Sequence, residues 1–117
     1  MEDQFLQYIG SRVRGSNPMH RVPQVEVREF TRWHIISSEL LKLHLDIAEY
    51  SPTGFEWGYR GSGPAQLSLA ILYDYFGDAE RALENCHAFK EDIISRLPRE
   101  FNLSGEQIER WYYRGSR

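Results

Sequence analysis

One stretch of the chain, from Gly54 to Leu67 (GFEWGYRGSGPAQL), predicts where an extended segment ends and a helix begins. Phe55, Trp57 and Tyr59 occur at every second position, as residues on one side of extended chain do. The run Gly61-Ser62-Gly63-Pro64 follows. Proline suits the first turn of a helix because its missing N–H would have no partner there. Glycine lets the backbone turn sharply and approach other groups closely.

The same turn is a candidate ligand site. A helix N-terminus presents unpaired N–H groups at the positive end of the helix dipole, so it attracts anions. The Arg60 guanidinium adds a fork of donors for a phosphate, and exposed aromatic rings can stack on a base. The predicted ligand-binding residues are Trp57, Tyr59, Arg60, Gly61, Ser62 and Gly63. The alternative is that the turn only starts the helix and that Trp57 anchors the core beneath it.

Residues 1–23 are predicted to form an N-terminal arm or a short helix from Asp3 to Arg12. The apolar residues of this segment recur at helical spacing: Phe5, Tyr8, Ile9 and Val13. Four cationic or ionisable residues lie close together in the same segment: Arg12, Arg14, His20 and Arg21. They suit either a solvated arm or an arm that clasps a partner subunit or an acidic surface.

Residues 24–113 are predicted to form a single domain that begins with strands. The segments 24–28 and 33–36 have the alternation and the β-branched or aromatic content of strands, joined as a hairpin or as one bent strand. Their basic side chains share parity and so project from one face, where they either add contacts to the ligand or form an ordinary solvent face: Arg28, Arg32 and His34. Ser38 is predicted to cap a helical turn that ends near Leu41 and is followed by extended chain. The alternation of Leu41, Leu43, Leu45 and Ile47 with polar residues conflicts with this prediction, because it is a strand pattern.

Helices dominate the second half. A helix from Pro64 to Phe76 is apolar nearly all round, which is typical of a buried helix, and Gly77 is a natural stop. Asp78 is predicted to cap a second helix over residues 79–96. Ser104-Gly105-Glu106-Gln107 matches a capping box, which starts a last helix ending near Tyr113, followed by a tail over 114–117. The fold class is therefore α+β, a small antiparallel sheet in the N-terminal half packed by two to four C-terminal helices.

Composition narrows the classes of function. The net charge of −3 lacks the basic excess of most duplex-binding modules. Cys86 is the only cysteine, and no Cys/His cluster has metal-site spacing, so no metal site and no cofactor are predicted. No nucleophile elbow or phosphate-loop motif is present, so no catalytic residues are assigned and a non-enzymatic protein is expected. No apolar window is long enough to span a membrane, and a cytoplasmic location is expected.

The run from Ser51 to Ala70 (SPTGFEWGYRGSGPAQLSLA) resembles the signature of a small domain family of unknown function. The family pattern is S-P-x-G-F-x-W-G-Y-G-G-S-G-P-A-x-L-A-L-A, and its members occur in microbial and viral genomes. The resemblance extends more loosely to Trp111 and covers about the C-terminal half. Arg60 departs from the pattern, which has glycine there. The resemblance implies that the motif matters, and it names no activity.

The sequence thus predicts a small binding protein of phage or mobile-element type with an anti-defence role. Its expected ligand is a nucleotide-like small molecule held at the Gly-Ser-Gly-Pro turn. An inhibitor that docks on a host defence protein or nuclease complex, in the manner of an anti-CRISPR protein, is the alternative, and nucleic-acid binding is the third hypothesis. A homo-oligomer, active in the host cytoplasm if the source is viral, fits each of them.

Overall fold

The computed structural model describes residues 4–17 and 19–115 of the 117-residue chain. These residues include four strands, three α-helices and a short 3₁₀ turn at Ile94–Arg96. Their bounds are β1 Phe5–Arg14, β2 Arg21–Phe30, β3 Ile35–Leu40, α1 Ser62–Phe76, α2 Ala79–Asp92, β4 Phe101–Ser104 and α3 Gly105–Gly115. The predicted α+β class with an antiparallel sheet and C-terminal helices is confirmed.

The four strands form one antiparallel sheet in the order β3-β2-β1-β4. Side chains alternate between the two faces of a strand, and the buried positions on the face toward the helices include Tyr8, Val25 and Leu103. The opposite face, called the outer face below, carries Phe5 and Arg28 and has no helix against it among the described residues. The molecule is therefore two layers deep, and its core lies between the sheet and the helices.

The N-terminal segment contradicts the predicted helix. Residues 5–14 form β1, which lies between β2 and β4, and the rest of the predicted arm includes the start of β2. The pairing of β1 with β2 and β4 decides the outcome. The apolar residues at helical spacing divide between the two faces of the strand, with Tyr8 toward the helices and Phe5, Ile9 and Val13 on the opposite face. Residues 1–3 of the predicted arm lie outside the described chain.

One further prediction about the strands is corrected, and one strand was missed. Ser38 lies inside β3 rather than at a helix N-terminus, and its hydroxyl donates to the Glu26 carboxylate at 2.6 Å. The strand β4 was not predicted, since its four residues give too short a pattern to recognise. The two segments predicted at 24–28 and 33–36 do form a hairpin, β2–β3, whose second strand begins at Ile35.

The predicted helices are confirmed with small shifts. Helix α1 runs from Ser62 to Phe76, and Gly77 ends it in the left-handed conformation at φ 67°. The Asp78 side chain accepts from the Arg81 N–H at the start of α2. Helix α2 stops at Asp92, and the 3₁₀ turn carries the chain to Arg96.

The capping box at the start of α3 is also confirmed. The Ser104 hydroxyl accepts from the Gln107 N–H at 3.1 Å, and the Gln107 side chain accepts from the Ser104 N–H at 2.8 Å. Helix α3 continues through Gly115, into the segment predicted as a tail, and residues 116–117 lie outside the described chain. No helix among the described residues is long and apolar enough to cross a membrane.

Helix α1 is the centre of the core, and one of its polar side chains organises the loop before it. Gln66 is fully buried, and its amide makes four hydrogen bonds to the backbone of residues 43–51. The loop over residues 41–61, which has no regular secondary structure, is thereby attached to α1. The segment from Phe55 to Tyr59, which was predicted to be extended, belongs to no strand.

Candidate functional site

Trp57 anchors the loop that leads into α1. Its side chain is 2% exposed, and its indole N–H donates to the carbonyls of Pro98 and Arg99 at 3.0 and 3.1 Å. Its ring meets Phe101 edge to face, with centroids 5.0 Å apart. These contacts tie the loop to the segment between α2 and β4, so Trp57 is a core anchor with its polar edge satisfied.

Arg12 of β1 forms a two-point ion pair with Glu56. Two guanidinium nitrogens lie 2.8 and 3.2 Å from the two carboxylate oxygens, and the guanidinium lies 4.6 Å from the Trp57 ring centroid. The stem of Glu56 packs so closely on Gly63 that a Cβ there would lie 2.7 Å from the Glu56 Cβ. Glycine at position 63 is therefore required by packing, and Glu56 lies against the first turn of α1.

The Gly-Ser-Gly turn itself lies at the surface beside Tyr59. Gly61 is the N-cap of α1, and no side chain caps the helix there. Ser62 is exposed, and the half-exposed Tyr59 ring covers Gly61. Arg60 points along α2 instead, where its Nε lies 2.7 Å from a Glu91 carboxylate oxygen and its side chain is 73% exposed.

The structure therefore separates the residues predicted to bind a ligand into two groups at the turn. Tyr59, Arg60 and Ser62 are exposed there, whereas Trp57 and Gly63 are buried. Arg60 already has a carboxylate partner, so an anion at the turn would compete with Glu91 for it.

The three additional basic residues lie in and beside the β2–β3 hairpin. Arg28 donates through two nitrogens to one Glu26 oxygen, at 2.7 and 3.1 Å. The Arg32 guanidinium lies 5.8 Å from the ring centroid of Trp33, in the turn that also contains His34. Arg28 and Arg32 thus contact residues of the hairpin, and no contact joins either side chain to the Gly-Ser-Gly turn in the part of the chain that the structure describes.

A basic depression that the sequence did not reveal is lined in part by Trp57. It has a volume of about 380 Å³. Three arginines contribute to its wall, and the complete lining is Arg12, Arg21, Trp57, Gly58, Leu97 and Arg99. We call this surface the arginine depression.

The register of the β1–β2 hairpin explains why the arginines meet. Arg14 lies opposite Arg21, and Arg12 lies opposite Pro23, two positions along on the same face. Arg99 comes from the segment whose carbonyl accepts the Trp57 indole N–H. Three separate parts of the chain thus converge, and only the basic run from Arg12 to Arg21 signals this in the sequence.

Only one of the three arginines that line the depression has a carboxylate partner among the described residues. Glu56 neutralises Arg12. No carboxylate of residues 4–17 or 19–115 lies within 4.0 Å of Arg21 or Arg99. Within these residues, two arginine charges thus have no carboxylate partner, and Arg14 lies on the same face nearby. The planar fork of donors on an arginine guanidinium favours phosphate and carboxylate ligands.

Buried ionisable groups occur elsewhere in the core. The Tyr8 hydroxyl donates to an Asp74 oxygen at 2.6 Å, and burial, together with this carboxylate, raises the pKa of Tyr8 far above its ordinary value. Burial also raises the pKa of the Cys86 thiol, which lies inside α2. Both groups are thus held in their protonated forms. Among the described residues, no group of three or more His, Cys, Asp or Glu side chains could hold a metal ion.

Fold and site together define a small two-layer α+β protein with an arginine-lined depression. The chain belongs to a family of unknown function, DUF6166, whose model matches residues 25–114. Neither a curated protein nor a solved structure shows a match to it. The match begins within β2, so the family's shared segment contains the Trp57 loop and Arg99 but not Arg12, Arg14 or Arg21.

Proposed function

We propose that this chain is a small non-enzymatic binding protein that holds a phosphate-bearing or nucleotide-like ligand in the arginine depression. The supporting observation is the convergence of Arg21 and Arg99, without carboxylate partners among the described residues, beside the fixed Arg12–Glu56 pair. The net charge of the chain is −3. The positive surface is therefore local, as a site for a small anion requires.

The walls of the depression suit a phosphate with a further group attached. Its volume of about 380 Å³ lies at the small end of the range for ligand pockets. Arg12 is held in place by Glu56 and by the face of Trp57, so little side-chain entropy remains for it to lose on binding. Arg21 and Arg99 are exposed and can close over the ligand.

The depression and the predicted Gly-Ser-Gly-Pro site belong to one loop. Trp57 and Gly58 line the depression, and the next residues, Tyr59 to Ser62, lead to the start of α1. Tyr59 is 51% exposed and is available to stack on a base. We place the phosphate beside Arg21 and Arg99, because Arg60 at the turn is already paired with Glu91.

Calorimetric titration with inorganic phosphate and with nucleoside mono-, di- and triphosphates tests the proposal. Arg21→Gln and Arg99→Gln should each weaken binding by about tenfold or more, the value of a charge-assisted hydrogen bond. Arg110→Gln is the matched control, since Arg110 is an exposed arginine of α3 paired with Glu106. A loss with Arg60→Ala alone would move the ligand to the turn. Unchanged binding in all three site variants would refute both positions.

The setting of this function is part of the proposal. The likeness of residues 51–70 to a signature from microbial and viral genomes supports an origin in a phage or mobile element. The host cytoplasm would then be the place of action, and capture of a nucleotide signal used in host defence would be the role. Expression of the protein in a host that carries a nucleotide-signalled defence should restore phage growth, and Arg99→Gln should abolish that effect.

A second candidate is docking on a host protein. A groove of about 940 Å³ at one end of the sheet contains five aromatic side chains: Phe5, Phe30, Tyr75, Phe76 and Tyr113. Aromatic residues are enriched in binding hot spots, and Tyr113 is 65% exposed. Capture of a host defence protein that Tyr113→Ser abolishes and Arg99→Gln does not would favour this candidate.

Nucleic acid is the third candidate for the arginine depression. The three arginines would then contact successive phosphates of a strand. Affinity for a single-stranded oligonucleotide should fall steeply with salt concentration in that case, whereas a single bound nucleotide should show a shallower dependence.

A further inference from the structure

The strand β3 is an exposed sheet edge. All six of its residues, Ile35 to Leu40, are exposed, and β2 is its only neighbour in the described sheet. Large apolar side chains are concentrated here, with Ile35 56%, Ile36 44% and Leu40 62% exposed. Natural proteins usually protect such edges with charges, proline or a covering segment, and Glu39 is the only charged residue within this strand.

The unpaired backbone groups of this edge can be assigned. The N–H of Leu41 donates to the Val25 carbonyl of β2 at 2.9 Å. In an antiparallel sheet, alternate residues direct their N–H and C=O to the same neighbour. Ser38 and Leu40 therefore direct their backbone groups away from β2, where another strand can pair with them.

We propose that β3 pairs with β3 of a second copy of this chain, antiparallel, about a two-fold axis at Ser38. The two sheets then form one continuous sheet of twice the width. Ser38 faces Ser38, and Ser37 faces Glu39. Ile36, which has no partner on β2 because the β2–β3 register shifts between Glu29 and Phe30, faces Leu40 on both sides of the axis. This assembly does not depend on the ligand of the arginine depression.

The sequence of β3 favours this register over its neighbours. Opposed residues in an antiparallel pair must both direct their backbone groups to the partner or both away from it. An axis at Glu39 would place the two carboxylates directly opposite each other, which is destabilising. An axis at Ser37 would oppose Ile35 to Glu39. The axis at Ser38 pairs apolar residues with each other and separates the charges.

The residues of the neighbouring strand β2 also suit pairing with a second copy. Ser38 lies on the outer face, opposite Arg28 of β2, and both side chains donate to the Glu26 carboxylate. This cluster joins one cation and one anion, so two copies of it beside the axis do not repel. The strand is also complementary to itself about this axis, with apolar Ile36 opposite Leu40 and neutral Ser37 opposite the Glu39 carboxylate, which favours a second copy as the occupant.

Cysteine cross-linking tests the register. Directly opposed, hydrogen-bonded residues have Cα atoms about 5.5 Å apart, within the range of about 4.4–6.8 Å that a disulfide spans. Ser38→Cys should therefore form a disulfide-linked dimer at least about tenfold faster under mild oxidation than the control Asn102→Cys, an exposed residue of β4 at the opposite edge. The native Cys86 is buried in both variants.

Sedimentation of the unmodified chain tests the association itself. The weight-average mass should rise toward a dimer with concentration, Leu40→Lys should return it to a monomer, and Leu83→Lys, a change at an exposed leucine of α2, should leave the dimer intact. A chain that stays monomeric at every concentration overturns the proposal. So does cross-linking of Ser38→Cys at the control rate, or a dimer that survives Leu40→Lys.

Discussion

Replacement of Gln66 by leucine is predicted to destabilise the protein more than a typical single substitution does. The Gln66 amide lies among backbone groups of the loop, with no exposed surface. Its oxygen accepts from the N–H groups of Tyr50 and Ser51 at 2.7 and 2.9 Å. Its nitrogen donates to the carbonyls of Leu43 and Ala48 at 2.7 and 3.0 Å.

The expected loss follows from these four groups. A buried polar group left without a partner costs about 1–3 kcal/mol. The four loop residues are partly exposed, so we expect water to reach about half of the groups. The net loss is then about 3 kcal/mol, after the gain from a larger apolar side chain. A domain of this length has a free energy of unfolding of roughly 6–18 kcal/mol, so the loss is a substantial fraction.

Equilibrium unfolding in urea measures this loss. With a slope of about 2 kcal/mol per molar urea, the midpoint of Gln66→Leu should fall by about 1.5 M. The control is Gln24→Leu, the same change at a half-buried residue of β2 on the outer face. A Gln66→Leu protein within about 1 kcal/mol of the wild type would refute the reasoning, because it would show that water satisfies all four groups.

Three further predictions concern the sheet and the core tyrosines. Folding raises the pKa of Tyr75 from 10.0 to about 12, through burial and the neighbouring Glu109 carboxylate, and it raises the pKa of Tyr8 further. The contribution of these two protonated hydroxyls to the free energy of unfolding is therefore complete below pH 10 and falls as the pH rises toward 12. Tyr8→Phe should reduce this slope by about 1.4 kcal/mol per pH unit in urea unfolding across that range, and an unchanged slope would contradict the assignment. Gly10→Ala should destabilise by about 3 kcal/mol or prevent folding, since a Cβ there would overlap the Phe101 ring, and thermal unfolding checks this. A chain truncated to residues 25–114, the span of the family match, should lack a cooperative unfolding transition because it lacks β1, and a sharp transition would count against that role.

Local signals in the sequence were enough to predict the helices. Gly77 ends α1, Asp78 caps α2, and Ser104 and Gln107 cap α3, each through contacts within a few residues. Such contacts depend on neighbouring residues alone, so a single sequence contains them.

The sheet could not be predicted in the same way, because its contacts are distant in the chain. The residues of β1 that face the helices include Arg12, which is unusual at a half-buried position until Glu56 and Trp57 are placed around it. β4 is recognisable as a strand only through its pairing with β1. Ser38 is a good N-cap by type, but its hydroxyl meets Glu26 across the hairpin.

The candidate site was predicted only in part, because its residues are also distant from one another in the chain. The sequence indicated the importance of the loop from Trp57 to Gly63, and the structure places Trp57 in the core and Tyr59, Arg60 and Ser62 at the surface. Arg21 and Arg99 come together only through the register of β1–β2 and the indole hydrogen bond to the Arg99 carbonyl. No local pattern in the sequence connects these two residues.

The position of β1 between β2 and β4 has a consequence for synthesis of the chain. β1 is made early, whereas β4 is made after α1 and α2, so the sheet cannot be completed until nearly the whole domain has left the ribosome. Until then the edge of β1 that pairs with β4 has no partner strand. Pairing across such a sequence separation is slow, and an unpaired strand edge is prone to aggregate. A ribosome that stalls before β4 would therefore hold a nascent chain suited to chaperone binding.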